Sequence, residues 1–107
     1  MAEATLGVLS RGEIESLAPG EMLARAYGDR KVLVCNVAGR LFAVENRCSH
    51  AAVELSRGTL EGFEVECPFH GARFDVRSGA ALCAPAQKPI AAFDVVPNSD
   101  GAEVRTR

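Results

Sequence analysis

Cys48-Ser49-His50, then sixteen residues, then Cys67-Pro68-Phe69-His70: on this window, C-x-H followed by C-x-x-H, the reading of the whole chain turns. His50 and His70 are the only two histidines in the sequence, and each follows a cysteine at short spacing. A chain with so few imidazoles that sets both beside thiols reads most simply as building a metal site. Two thiolates and two imidazoles suit a tetrahedral zinc or an iron–sulfur cluster with mixed ligands. Zinc knuckles favour like ligands in pairs, C-x2–4-C and H-x3–5-H. Here each pair is one Cys and one His, which is what two chemically unlike irons need, because each loop then gives one ligand to each metal. On the residues alone, a zinc staple stays open beside the cluster.

The sequence around the window breaks into short strands. Glycine and proline punctuate it about every ten residues, which favours many strands over long helices. Residues 5–10 (TLGVLS) read as a first strand, and Ser10 to Glu15 as one helical turn ended by Ala18-Pro19-Gly20. Residues 21–27 alternate weakly, and 31–37 (KVLVCNV) are apolar and β-branched, a core strand. Ala38-Gly39-Arg40 turns the chain into 41–45 (LFAVE), a hairpin. From Asn46 to Gly62 the pattern is irregular. Residues 63–67 then alternate, with Phe63, Val65 and Cys67 on one side and Glu64 and Glu66 on the other. A tight turn leads into 72–76 (ARFDV); the proline-rich 84–89 is excluded from a central strand. The strands 91–96 and 102–106, separated by a turn over 97–101, close the chain. The expectation is an all-β domain, a sandwich or small barrel, with the two Cys/His pairs on loops flanking one hairpin.

Composition narrows the function. At 107 residues the chain makes one domain, 1–107. Twelve basic and fourteen acidic residues give a net charge of −2, so no basic excess points to nucleic acid or an anionic membrane. No apolar run approaches a membrane span. Met1 to Thr5 has neither a basic start nor an apolar stretch of an export signal, so a cytoplasmic location is expected. In a reducing compartment, cysteines beside histidines speak for metal instead of disulfides. Cys35 lies in an apolar strand and reads as a small buried hydrophobe; Cys83 reads as packing near the metal-bearing lobe, and a Cys35–Cys83 disulfide is disfavoured. Glu45, Glu54, Glu61, Glu64 and Glu66 outnumber Arg47 and Arg57 over 45–66, mostly as a solvated face that can also orient a basic partner.

Taken together, C-S-H at 48–50, L-E-G at 60–62, E-C-P-F-H-G at 66–71, R-F-D-V at 73–76 and G-A-A-L-C-A-P at 79–85 resemble the Rieske 2Fe–2S proteins. The likeness is to the soluble ferredoxins of bacterial aromatic ring-hydroxylating dioxygenase systems, and it covers nearly the whole chain. One departure is Ala51-Ala52, where that group often carries a glycine after the histidine; it reads as a modest change of loop conformation. The resemblance implies a Rieske-type antiparallel β-sandwich or small barrel, with a cluster-binding subdomain of about 46–84 formed by two loops. It also implies one Rieske 2Fe–2S cluster, with Cys48 and Cys67 on one iron and His50 and His70 on the other. Phe69, Leu60 and Pro85 would shield it or rim it, with ordinary core packing the plain alternative for each.

The implied job is that of a low-potential electron carrier, not an enzyme. It would take single electrons from an NAD(P)H-dependent flavoprotein ferredoxin reductase and deliver them to a terminal oxygenase. An oxygenase in its own right is excluded, since a 2-His-1-carboxylate iron site needs histidines already used here. The alternative is a structural Rieske-like subunit, with zinc or no metal, of a larger oxidoreductase such as a nitrite reductase; the intact ligand set argues against it.

Two neutral imidazoles in place of two thiolates leave the cluster two charges less negative than an all-cysteine site, which raises the potential. The high-potential branch of the family adds a disulfide across its cluster loops, at positions that are Val53 and Phe69 here. It also donates hydrogen bonds from a Ser and a Tyr, at positions that are Ala72 and Phe74 here. Lacking those hydroxyls, this chain is expected to titrate at the low end of the Rieske range, on the order of −150 mV. A redox titration checks this: Ala72→Ser combined with Phe74→Tyr moves the midpoint upward, and an unmoved midpoint would refute the hydroxyl argument.

Overall fold

Residues 4–49, 52–69, 71–84 and 86–107 are described in a computed structural model of the chain. His50, Ala51, His70 and Pro85 therefore lie outside the described residues, as do Met1 to Glu3.

The expected strands form. Thr5–Ser10 (β1), Met22–Tyr27 (β2), Arg30–Val37 (β3), Arg40–Glu45 (β4), Thr59–Glu61 (β5), Glu64–Glu66 (β6), Arg73–Asp75 (β7), Ala92–Asn98 (β8) and Gly101–Thr106 (β9) follow one another, with one short helix, Arg11–Ser16 (α1). The helix starts at a capping box between Ser10 and Glu13. The Ser10 hydroxyl accepts the Glu13 N–H at 3.1 Å, and the Glu13 carboxylate accepts the Ser10 N–H at 2.9 Å. Glu13 also pairs with Arg25 of β2.

The strands make two antiparallel sheets, one of six strands in the order β1-β9-β8-β4-β3-β2 and one of three in the order β5-β6-β7. Strand β3 explains why its sequence did not alternate. Leu33, Cys35 and Val37 face a core shared with the small sheet, while Val32 and Val34 face a second core beneath β1, β8 and β9. A strand covered on both faces reads as a continuous apolar run.

Two features differ from the expectation. Among its described residues the irregular stretch 46–62 contains one 3-10 turn, Leu55–Arg57, and the strand β5. Three residues are too few for a period to show, and β5 exists only because Leu60 pairs with Val65 across the Gly62 turn. Strand β8 also runs on through Pro97 to Asn98, where a turn was expected from residue 97. Strand β4 pairs with β8 only at Ala92 and Phe93, so Pro97 sits where β8 is an edge on that side and its missing N–H costs no ladder bond.

The large sheet curls until its two edge strands meet. The Tyr27 hydroxyl at the end of β2 donates to the Val8 carbonyl of β1 at 2.9 Å, and the ring lies flat on Gly7. A Cβ built on Gly7 would fall inside that ring. The small sheet packs on the outside of β3 and β4, where Phe42 meets Phe63 edge to face at 5.8 Å and the Arg77 guanidinium caps the Phe63 ring at 4.0 Å. The chain leaves for this lobe after β4 and returns before β8 at one point, marked by the Glu45 N–H donating to the Ala91 carbonyl at 2.8 Å. Among the described residues no helix is long and apolar enough to cross a membrane.

The seam gives a test. Gly7→Ala forces the Tyr27 ring off its seat, and overpacking of this kind costs about 1–3 kcal/mol. Thermal denaturation followed by circular dichroism is expected to show a lower midpoint, and an unchanged one would mean the seam is not closed in solution.

Candidate metal centre

The two cysteines of the motif occupy matching positions in two loops. In the first, the Cys48 N–H donates to the Val53 carbonyl at 2.9 Å; in the second, the Cys67 N–H donates to the Ala72 carbonyl at 2.7 Å. Each loop is thus closed by the same bond, from a cysteine to the carbonyl five residues on. Gly71, with φ +71°, takes the left-handed turn that brings the second loop back, a conformation that strains any residue with a Cβ.

Both cysteines are buried, 2% and 1% exposed, in the core shared with Leu55, Val65, Phe74 and Val76. They are free thiols, and they lie against each other. Burial raises the pKa of Cys67; the Phe69 N–H, which donates to Cys67 Sγ at 3.4 Å, pulls it back, and the adjacent Cys48 thiol raises it again. Neutral thiols pack in such a core as small hydrophobes do, and a metal bound there would supply the positive charge that two adjacent thiolates need. The histidines of the motif, His50 and His70, lie outside the described residues, so the described half of the expected set is Cys48 and Cys67.

The first loop is also held by a residue that no motif or period singles out. Asn46, 2% exposed, accepts the Ser56 N–H at 2.8 Å and donates to the Ser56 hydroxyl at 3.1 Å. Its partner lies ten residues away in an irregular stretch, where no period could reveal it. Of the expected shielding residues, Leu60 packs against the core, Phe69 is 55% exposed, and Pro85 lies outside the described residues. Ala72 and Phe74 are fully buried, at the closing bond of the second loop and beside it.

The remaining cysteines separate. Cys35 is fully buried in β3, and desolvation pushes its thiol up to about 12. Cys83 is exposed, on the lobe as expected but not packed into it, with its thiol directed to the Gly71 carbonyl at 3.6 Å. The acidic face is partly neutralised from within: Arg73 lies between Glu64 (3.3 Å) and Glu66 (3.2 Å), and Lys31 reaches Glu54 at 3.3 Å. Such exposed pairs contribute little to stability.

With the geometry in place, comparison with known proteins is direct. The family model described as Rieske 2Fe-2S domain matches residues 8–94. The ferredoxin component of biphenyl 2,3-dioxygenase from Rhodococcus jostii (strain RHA1) is 51% identical over 79 residues, 74% of each chain. The solved ferredoxin of carbazole 1,9a-dioxygenase from Nocardioides aromaticivorans IC177 superposes with a TM-score of 0.86 at 32% identity, over 97% of this chain and 99% of that one. A ferredoxin solved as a complex of reduced oxygenase and oxidised ferredoxin in carbazole 1,9a-dioxygenase matches at TM-score 0.80 and 28% identity, over 95% and 91% of the two chains. The chain belongs to the Rieske 2Fe–2S family, in its branch of small ferredoxins that are components of dioxygenase systems. It is accordingly an electron-transfer component carrying one Rieske 2Fe–2S cluster, not an oxygenase.

Thiol reactivity follows from burial. With a pKa near 12, Cys35 is thiolate in only about one molecule in ten thousand at pH 8. Iodoacetamide on the native protein is expected to label Cys83 and to reach Cys35 only after unfolding, as read by peptide mass spectrometry; native labelling of Cys35 would contradict its placement in the sheet.

Proposed function

We propose that Cys48 and Cys67 hold one iron of the cluster through their sulfurs, and that His50 and His70 hold the other through ring nitrogens. These four residues are then both the cofactor-binding and the metal-binding set. The observation that carries this reading is the pair of buried free thiols at equivalent places in two loops closed by the same bond. In each loop a histidine follows its cysteine by two or three positions. The cluster, when bound, supplies a one-electron couple.

The chain's own groups tune and present that couple. The core around Cys48 and Cys67 keeps water from the sulfur side, and the Phe69 N–H aimed at Cys67 Sγ favours negative charge there. Ala72 and Phe74 offer no hydroxyl, which keeps the carrier's potential low. Single electrons arrive from an NAD(P)H-dependent flavoprotein ferredoxin reductase and leave to the terminal oxygenase of an aromatic ring-hydroxylating system. The relatives named above, and the solved oxygenase–ferredoxin complex among them, support that direction. Both partners meet the His50/His70 side at one overlapping surface, in small and short-lived encounters. The place of work is the cytoplasm, where four unbridged cysteines stay reduced. Residues 1–107 make a single domain, with about 46–84 as its cluster-binding lobe.

Reconstitution tests the reading. NADH-dependent turnover of an aromatic substrate, with candidate reductases and oxygenases, is expected only when this protein is present. His50→Ala and Cys67→Ser are each expected to abolish the cluster, seen as lost visible absorption, together with electron delivery. Retained reduction of the oxygenase by either variant would defeat the assignment.

A further inference from the structure

The segment 82–90 supplies none of the proposed ligands and, among its described residues, forms no strand, yet it touches both loops beside the residues that matter. Its ends are fixed. Leu82 N–H donates to the Arg73 carbonyl at 2.8 Å, next to a bridge between Ala81 and Phe74. At the other end the Ile90 N–H donates to the Gly79 carbonyl at 2.9 Å, and Ala86 and Ile90 are buried in the same core as Cys48 and Cys67. Between these anchors the segment makes two contacts outward. The Ser49 hydroxyl donates to the Lys88 carbonyl at 2.6 Å, and the Cys83 thiol points to the Gly71 carbonyl at 3.6 Å. Ser49 is the residue between Cys48 and His50, and Gly71 is the residue after His70.

The two loop-closing bonds fix where each loop begins and ends. They do not fix the arc between, where the histidines lie in sequence. Ser49 and Gly71 belong to those arcs, and both are tied to one anchored strap. We infer that Ser49 is a positioning residue: through the Lys88 carbonyl it holds the first arc in a fixed relation to the second, with Cys83 as the weaker tie on the other side. The inference rests on the ligand assignment proposed above. Of the two ties the serine dominates, because a short O–H···O bond is much stronger than an S–H···O contact.

The test uses the cluster-loaded protein, with Ser49→Ala, Ser49→Thr and Cys83→Ala beside the parent. Three readouts are followed: bleaching of the visible absorption by an iron chelator, the rhombic EPR signal of the reduced protein, and the unfolding midpoint. Loss of one net hydrogen bond corresponds to about a fivefold change in an opening equilibrium. Ser49→Ala is therefore expected to bleach about fivefold faster with shifted g-values, while its unfolding midpoint falls by no more than the loss of one hydrogen bond, and Cys83→Ala to bleach about twofold faster. Ser49→Thr, which keeps the hydroxyl, is expected to behave as the parent. Parent-like EPR in Ser49→Ala would overturn the inference, whether bleaching is unchanged or is faster only in step with a lowered unfolding midpoint. If Ser49→Ala does not load, Cys83→Ala decides, and parent-like behaviour there counts against the strap. A parent without a rhombic signal would instead strike the ligand assignment itself.

Discussion

The packing of two cysteine sulfurs into a hydrophobic core is the constraint on which the lobe depends. Its sheet is three strands of three residues each, far too little to bury a core by itself. It is completed by the outer face of β3 and β4 and by Cys48 and Cys67, which sit among Leu55, Val65, Phe74 and Val76 as apolar residues would. Site and core are therefore the same set of atoms. Sulfurs placed there have lost their water, so they stay neutral thiols until a bound metal offsets the charge of two thiolates. The lobe's stability and its cofactor are coupled for that reason, while the curled sheet has a second core of its own.

The electrostatics run in one direction. On the proposed ligand set, two neutral ligands lower the negative charge that reduction must add to. Among the described residues the chain adds one backbone N–H at 3.4 Å from Cys67 Sγ, and apolar side chains at Ala72 and Phe74. The nearby acidic residues are partly satisfied by Arg73 and Lys31. The result is a couple eased by its ligands and otherwise left alone, suited to passing an electron on instead of keeping it.

Much of this was legible in the sequence, for physical reasons that can be named. Strands β1 to β4 and β9 carry their own patterns and turn residues, and α1 carries its capping box. The two Cys/His pairs point to a metal site by ligand type and spacing, and the motifs around them turn that site from zinc toward an iron–sulfur cluster. What stayed hidden depends on partners distant in sequence. Strand β5 exists through Leu60 and Val65, Asn46 finds Ser56 across an irregular stretch, and Tyr27 finds its seat on Gly7 only because the sheet curls. The turn expected at Pro97 failed because nothing in a single strand tells whether a neighbour will need its N–H. The exposure of Phe69 escaped for a similar reason, since an aromatic in a cysteine loop looks like core until the surroundings are known.

The lobe is entered and left between Glu45 and Ala91, where the Glu45 N–H donates to the Ala91 carbonyl and the Ala91 N–H to the Glu45 carboxylate. In topological terms it is an insertion between β4 and β8, neighbouring antiparallel strands of the six-stranded sheet. The frame is not equally free around it. Met22 of β2, Leu33 and Cys35 of β3 and Val44 of β4 share a core with Cys48 and Cys67, so substitutions there reach the redox module. The buried residues of β1 and β9 lie in the other core, and changes on those strands can tune solubility or folding at a distance from the cysteines.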